Sequence, residues 1–347
     1  MDTVEVDGSL GEGGGQILRT AAAFSTIFRR PVRVTRIRAG RRVPGLKRQH
    51  ASALLVLARA AGGRVEGAQE GSSEVSYFPG KPRTESLALD MGTAASITLV
   101  LQAVVPAVAL SGGRLRLELK GGTDVPWSPT FDYFAEVVRG AFRQIGIEFD
   151  ATAERRGYYP RGGGRVVATV EPSSGLKPLD LASRGELPGA RVVSRCGGLP
   201  RRVAERQLSA ASSHLEGAGI RVLAGEVAEE GSDSPGSSVL AYCTEHGALL
   251  GADAIGEKGK PAERVGQEAA ARFIAELNSG ACVDSNLSDM VIPLLSLAPS
   301  PSRVRVREVT PHLKSGLEIA RKFTSFSWET EPRSVGAVVR VNPGTRP

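Results

Sequence analysis

Three stretches of the 347-residue chain repeat one pattern: an apolar helix, a short break, an alternating strand, then a polar loop. The first runs from Gln16 through AAAFSTIF to the strand VRVTRI and the loop Arg38-Ala39-Gly40-Arg41. The second runs from Ser96 through LVLQAVVPAVAL to RLRLELK and Gly121-Gly122-Thr123-Asp124. The third runs from Asn286 through MVIPLLSLA to RVRVREV and Thr310-Pro311-His312. Apolar residues at helical spacing, followed by period-two alternation, support each assignment. Each loop leads into another helix: LKRQHASALLVLARA, TFDYFAEVVRGAFRQIG and LKSGLEIARKFTSF. Gly62 and Gly63 end the first of these, and the strands RVEGAQ and IEFDATAE follow the first two. The expectation is an α/β (α+β) fold whose large domain holds three repeated two-helix/β-sheet units around one core.

The spacing of the repeats predicts an insertion. Ser96 lies 80 residues after Gln16, whereas Asn286 lies 190 residues after Ser96. The excess, roughly 100 residues, is the size of a small domain. The expected division is 1–184 and 281–347 for the large domain and 185–280 for a smaller inserted α/β domain. Within the insert the patterns predict strand ARVVSRC, helix PRRVAERQLSAASSHLEG, strands IRVLAGEV, SVLAYCTE and ALLGADAI, and helix AERVGQEAAARFIAELN. The polar tract EEGSDSPGSS reads as a loop.

With 41% hydrophobic and 23% charged residues, general disorder is excluded. A net charge of +7 and a pI of about 9.6 favour a polyanionic partner. Cys196, Cys243 and Cys282 lie far apart without CxxC spacing, which argues against a disulfide framework and a zinc site. The opening MDTVEVDGSLGEGGG lacks the basic and apolar regions of a signal peptide. The most apolar run, Ala94 to Leu110, contains Gln102 and Pro106 and is too short for a membrane span. A reducing cytoplasm is the expected setting, with no membrane partner.

Four places can carry chemistry. In GEGGGQILR (11–19) the glycines allow positive φ and close approach to a phosphate. A helix opening near Gln16 would present free amides to an anion. Glu12 would repel a bare phosphate, so it suits either a divalent cation beside the phosphate or an exposed turn. The loop RAGRRVPGLKRQH (38–50) carries Arg38, Arg41, Arg42, Lys47 and Arg48. Guanidinium groups grip phosphate with paired hydrogen bonds, and a dense cluster repels itself without an anion; a solvated basic surface is the alternative. Of the four histidines, His214 and His246 fall in the insert and His50 sits in a helix beside apolar residues. His312 follows Pro311 at a strand end just before a helix, so its side chain is exposed yet held. Imidazole is largely neutral at pH 7 and can attack phosphorus without a separate strong base. In NLSDM (286–290), Asp289 suits either a hydrogen bond to a nucleotide or, with Ser288, a helix cap.

Taken together, GEGGGQILRT, IRAGRRVPGLKRQH, TLVLQAVVP, GGTDVP, GYYPRGGG, LPRRVAERQ, the GEK at 256–258 and NLSDMVIPLLSLA resemble the RNA 3'-terminal phosphate cyclases. The motifs occur in order from residue 4 to about 325, nearly the whole chain. The resemblance implies three related α/β units, each similar to the C-terminal domain of a bacterial translation initiation factor, with one inserted domain. It implies ATP and a divalent metal, Mg2+ or Mn2+, as cofactors and an RNA with a 3'-phosphate as partner. In such enzymes a histidine takes AMP from ATP and passes it to the RNA 3'-phosphate. The neighbouring 2'-hydroxyl then closes a 2',3'-cyclic phosphate. Carried over by position, His312 is the nucleophile and Glu12 the metal ligand. Arg19, Arg38, Arg41, Gln49 and His50 bind RNA and phosphates. Gln102, Pro129 and Asn286, Leu287, Ser288, Asp289 and Met290 hold ATP. The chain departs from the family pattern at Ser315 and Gly316, where Thr-Asn or Thr-Ala pairs are usual, and at Trp127, where smaller residues are common. A non-catalytic relative acting in ribosome assembly would lack the histidine and several phosphate ligands. An enolpyruvyl transferase would have two balanced lobes rather than one insert.

Overall fold

The computed structural model describes residues 2–11, 13–82 and 86–344. Its first part comprises β1 (Val4–Asp7), α1 (Gly15–Phe28), β2 (Val32–Thr35), α2 (Arg48–Ala60), β3 (Arg64–Glu66) and β4 (Val75–Phe78). The sheet order is β1-β2-β4-β3, with β1 parallel to β2 and the other pairs antiparallel. Next come β5 (Ser86–Asp90), α3 (Ile97–Leu110), β6 (Leu115–Gly121) and α4 (Phe131–Tyr133). A π turn, Phe134–Val138, continues α4 into α5 (Arg139–Gln144), followed by β7 (Phe149–Arg155) and β8 (Gly164–Val170). Their sheet order is β5-β6-β8-β7, and its first pair is again the parallel one.

After the two-residue β9 (Asp180–Leu181) the chain leaves for a separate sheet. This contains β10 (Ala190–Gly197), α6 (Arg202–Gly217), β11 (Val222–Glu230), β12 (Gly236–Cys243), β13 (Leu250–Ile255) and α7 (Ala262–Asn278). The order is β11-β10-β12-β13, with β10 and β11 parallel. The chain then returns through α8 (Ser285–Val291), a 3-10 turn (Ile292–Leu297), β14 (Ser302–Val306), α9 (Pro311–Arg321), β15 (Phe326–Pro332) and β16 (Ala337–Pro343). Here β9 lies parallel to β14, which pairs antiparallel with β16, and β15 closes the edge. Four mixed sheets thus share one sense of pairing: one parallel pair and two antiparallel ones.

Burial explains the packing. Alternation in β2 and β6 gives each sheet one apolar face, and the helices cover it. Helix α3 is buried on nearly all sides, from Ile97 to Ala109, and forms the centre of the main core with α1 and α2. A second core joins Val192, Val239, Leu250 and Phe273 from the stretch 190–281, where α6 and α7 pack together on their sheet. Every residue of β12 is buried, as expected for a central strand covered on both faces.

Two local expectations need correction. The tract EEGSDSPGSS is a loop only over 231–235: β11 runs to Glu230, β12 starts at Gly236, and Ser237 and Ser238 are each 2% exposed. Small serines fit a packed strand even though their composition imitates a turn. The helix after His312 begins earlier than expected, at Pro311, because Thr310 caps it through Leu313 N–H at 2.9 Å. The strands β1, β4, β5, β8, β9, β15 and β16 were not expected. Several have four residues or fewer, too short for alternation to register. Among the described residues, no helix is long and apolar enough to cross a membrane.

Candidate active site

A cavity of about 830 Å³ opens where α1, α2, α3, α8 and α9 meet the end of β13 and one face of α7. The glycine turn forms one wall. A Cβ on Gly15 would stand 2.5 Å from two atoms of the His50 ring and 3.2 Å from Arg19 Nη1, so glycine lets both side chains lie over the start of α1. The ring carbon Cε1 of His312 lies 3.6 Å from where a Gly14 Cβ would sit. His312, in the first turn of α9, therefore faces this turn and lines the cavity with Gln16, Arg19, Gln49 and His50. Glu12 lies outside the described residues. Among those described, no cluster of three or more His, Cys, Asp or Glu is arranged to hold a metal ion.

Burial determines the charges here. Desolvation lowers Arg19 to about 10, still protonated at neutral pH. Among the described residues no acidic side chain forms an ion pair with it. Desolvation, reinforced by Arg19, Arg38 and Lys47, pulls His50 down to about 3, so this ring is neutral at pH 7. Two buried polar atoms on the wall have no hydrogen-bond partner, His50 Nδ1 and Gln102 Nε2. Pro106, one turn after Gln102, has no N–H to offer the Gln102 carbonyl. A guanidinium with no acidic partner among the described residues is what an anionic ligand would satisfy.

The wall bearing His312 is tied together by side chains. Asp284 caps α8, accepting from Leu287 N–H at 2.9 Å, from Gly251 N–H at 2.9 Å and from the Tyr133 hydroxyl at 2.7 Å. Burial nevertheless raises its carboxyl to about 7. The cap is thus Asp284, not Asp289. Asp289 instead accepts a hydrogen bond from the Thr310 hydroxyl, joining α8 to α9. Gln16 Nε2 lies 3.5 Å from the carbonyl oxygens of both Asp289 and His312. Ser315 donates to the Pro311 carbonyl at 2.8 Å and packs against Gly11, while a Cβ on Gly316 would stand 2.7 Å from Pro293. The small residues at 315 and 316 thus let α9 sit close to the glycine turn and to the turn after α8.

Of the residues expected to hold ATP, Gln102, Pro129, Asn286, Asp289 and Met290 line the cavity. Leu287 and Ser288 do not; both are 0% exposed and face the core. Arg38 and Arg41 also lie off the lining. Arg38 has φ +54 and donates to the Val43 and Gly45 carbonyls, while Arg41 is exposed. Asp124 does not join the cavity. Its side chain is buried against Arg156 at 3.3 Å and accepts from Phe131 N–H. Desolvation raises its carboxyl and Arg156 opposes this.

Sequence reasoning did not find the insert's contribution. Asp253, Lys260, Glu268 and Arg272 line the opposite wall, with Lys260 and Glu268 paired at 2.5 Å. Asp253 accepts from Thr130 N–H at 2.7 Å, which links β13 to the loop before α4, and Arg272 of α7 donates to the Asp253 carbonyl at 2.8 Å. Only Glu257, within the GEK segment, carried any signal. The loop Val125–Pro129 closes the rim, where Trp127 is 97% exposed with φ +62.

A family model described as RNA 3'-terminal phosphate cyclase matches residues 10–330. Curated relatives carrying that name include one from Caldivirga maquilingensis, 41% identical over 99% of both chains. Another, from Desulfurococcus amylolyticus, is 44% identical over 93% of this chain and 92% of its own, and one from Methanopyrus kandleri is 42% identical over 99% of both. A solved enolpyruvyl transferase, NikO from Streptomyces tendae, aligns with a TM-score of 0.28 at 12% identity over 99% of this chain and 82% of its own, too weak a likeness to carry an argument.

Proposed function

The chain belongs to the RNA 3'-terminal phosphate cyclase family, and from this membership we propose that it uses ATP to convert an RNA 3'-phosphate into a 2',3'-cyclic phosphodiester. In the proposed first step an imidazole nitrogen of His312 attacks the α-phosphorus of ATP, a P–N bond forms, and pyrophosphate leaves. An oxygen of the RNA 3'-phosphate then displaces the imidazole, giving an RNA(3')pp(5')A end. Finally the 2'-hydroxyl loses its proton and attacks the 3'-phosphorus, expelling AMP. The observation that carries this reading is the position of His312: the first turn of a helix, against the glycine turn, in the same cavity as the Arg19 guanidinium. Arg19 would offset charge building on the phosphorus, and the neutral His50 and the Gln102 amide would orient phosphate and nucleoside. Asn286, Asp289, Met290 and Pro129 would hold the adenosine. Arg38, Arg41 and Gln49 would meet the RNA end. A divalent metal, if bound, would shield the triphosphate; Glu12 is the residue suited to it.

We also read the three sheets of like order within 1–184 and 281–347 as three copies of one unit, and 185–280 as an inserted domain. The separate core over 190–281 supports that division. The nucleophile is tested with α-labelled ATP. The intact enzyme is expected to take up one AMP per chain through an acid-labile, alkali-stable bond, and His312→Ala to take up none. Persistent label in that variant would place the nucleophile elsewhere.

A further inference from the structure

We propose that Trp127 is a stacking platform for a base at the 3' end of the RNA. The inference rests on the cyclase reading for the identity of the strand, but its evidence is separate. Large aromatics are ordinarily buried, yet Trp127 is 97% exposed. The exposure is imposed by the backbone, since φ is +62, a conformation bulky L-residues rarely adopt. The loop is tied on both sides of the ring. Ser128 donates to the Val125 carbonyl at 2.8 Å, Thr98 donates to the Pro129 carbonyl at 2.8 Å, and Asp253 holds Thr130 N–H. Val125 and Thr130 are buried at either end. A rigid loop thus holds an indole out over the rim of the cavity.

An RNA strand fits this position better than adenine. Gln102, Pro129 and Met290 line the cavity, where the proposed adenine would sit, whereas Trp127 stands open to solvent, where a strand must leave. A second exposed aromatic lies on the neighbouring hairpin. Tyr159 is 68% exposed on the β7–β8 hairpin, which bridges the Trp127 loop through Asp124 and Tyr158, and the exposed Arg161 follows it. Successive aromatics beside a cation are how sequence-tolerant single-strand binders hold bases.

The chain has two tryptophans, which makes the test direct. Trp328 packs partly buried against the main core, far in sequence from the loop. In a Trp328→Phe protein all tryptophan emission comes from Trp127. A short RNA with a 3'-phosphate is expected to quench it, and the same RNA with abasic sites at its last two positions to quench it much less. ATP alone is expected to leave it unchanged. Quenching by ATP but not RNA would assign the ring to adenine, and no quenching by either would remove the platform; both overturn the proposal. In kinetics, Trp127→Ala is expected to raise KM for RNA about tenfold or more, with Trp127→Phe restoring most of it. An equal rise in the KM for ATP would count against it. Absence of cyclisation in the unaltered protein, with RNA quenching intact, would sink the cyclase reading and leave the stacking site standing.

Discussion

His50 and Arg19 show how one buried wall treats two bases differently. Arg19, lowered to about 10, keeps its proton at neutral pH, while His50, held near 3, cannot take one. The folded value of His50 lies below its ordinary 6.5, so the unfolded chain binds a proton first as pH falls. The stability associated with neutral His50 is therefore complete above pH 6.5 and is lost progressively toward pH 3. We expect His50→Gln, which cannot gain charge, to lose less stability than the unaltered protein between pH 7 and pH 5 in urea midpoints. Asp284, raised to about 7, works in the opposite sense, costing stability as pH rises from about 4 to 7; it is common to both proteins and cancels in the comparison.

At the scale of elements, α9 presents His312 because Thr310 does two things. Its oxygen caps the helix at Leu313 N–H and its hydroxyl proton goes to Asp289 on α8. Loss of a cap of this kind costs about 1–2 kcal/mol. Thr310→Ala is expected to lower the unfolding free energy by that amount and to slow AMP uptake from ATP, whereas Thr310→Ser, which keeps the hydroxyl, should restore the uptake rate. If Thr310→Ala is less stable but labels at the normal rate, the α8–α9 tie has no part in placing the nucleophile. The sequence marks α7 to the residue because its apolar spacing is regular, whereas it starts α9 late, at Leu313, and carries it past Arg321 to Phe326, the first residue of β15. It marks β9 not at all, since two residues have no period.

For the molecule as a whole, the sheet over 190–255 is fastened to the rest of the chain by a network of charged side chains. Arg156, 3% exposed, meets Asp124 at 3.3 Å and Asp132 at 2.9 Å, both from the stretch after β6, and Glu230 of the insert at 2.8 Å. Arg195 of β10 reaches Asp132 and Glu230 from the other side. Removing one partner from a buried ion pair leaves uncompensated charge and typically costs about 3–5 kcal/mol. Arg156→Ala is expected to fall in that range by urea unfolding, with part of the loss recovered in the Arg156→Ala/Asp124→Asn double variant. A cost under about 1 kcal/mol would mean that the network does not hold the insert in place. Asp124 thus belongs to this ion-pair network and does not line the cavity.

Local order along the chain determined the mixed α/β class, the succession of regular helices and alternating strands, and the glycine turn, because periodicity and φ preferences act over a few residues. The ordered motifs also carried the family. Tertiary structure alone decided which loops share a cavity: it brought Arg19, His50, Gln102, Asp289 and His312 together, turned Leu287, Ser288 and Asp124 inward, and added Asp253, Lys260 and Arg272 from the insert. Those outcomes depend on how α1, α3, α8 and α9 pack and on which charges that packing strips of water. Neither is encoded in the spacing of neighbouring residues.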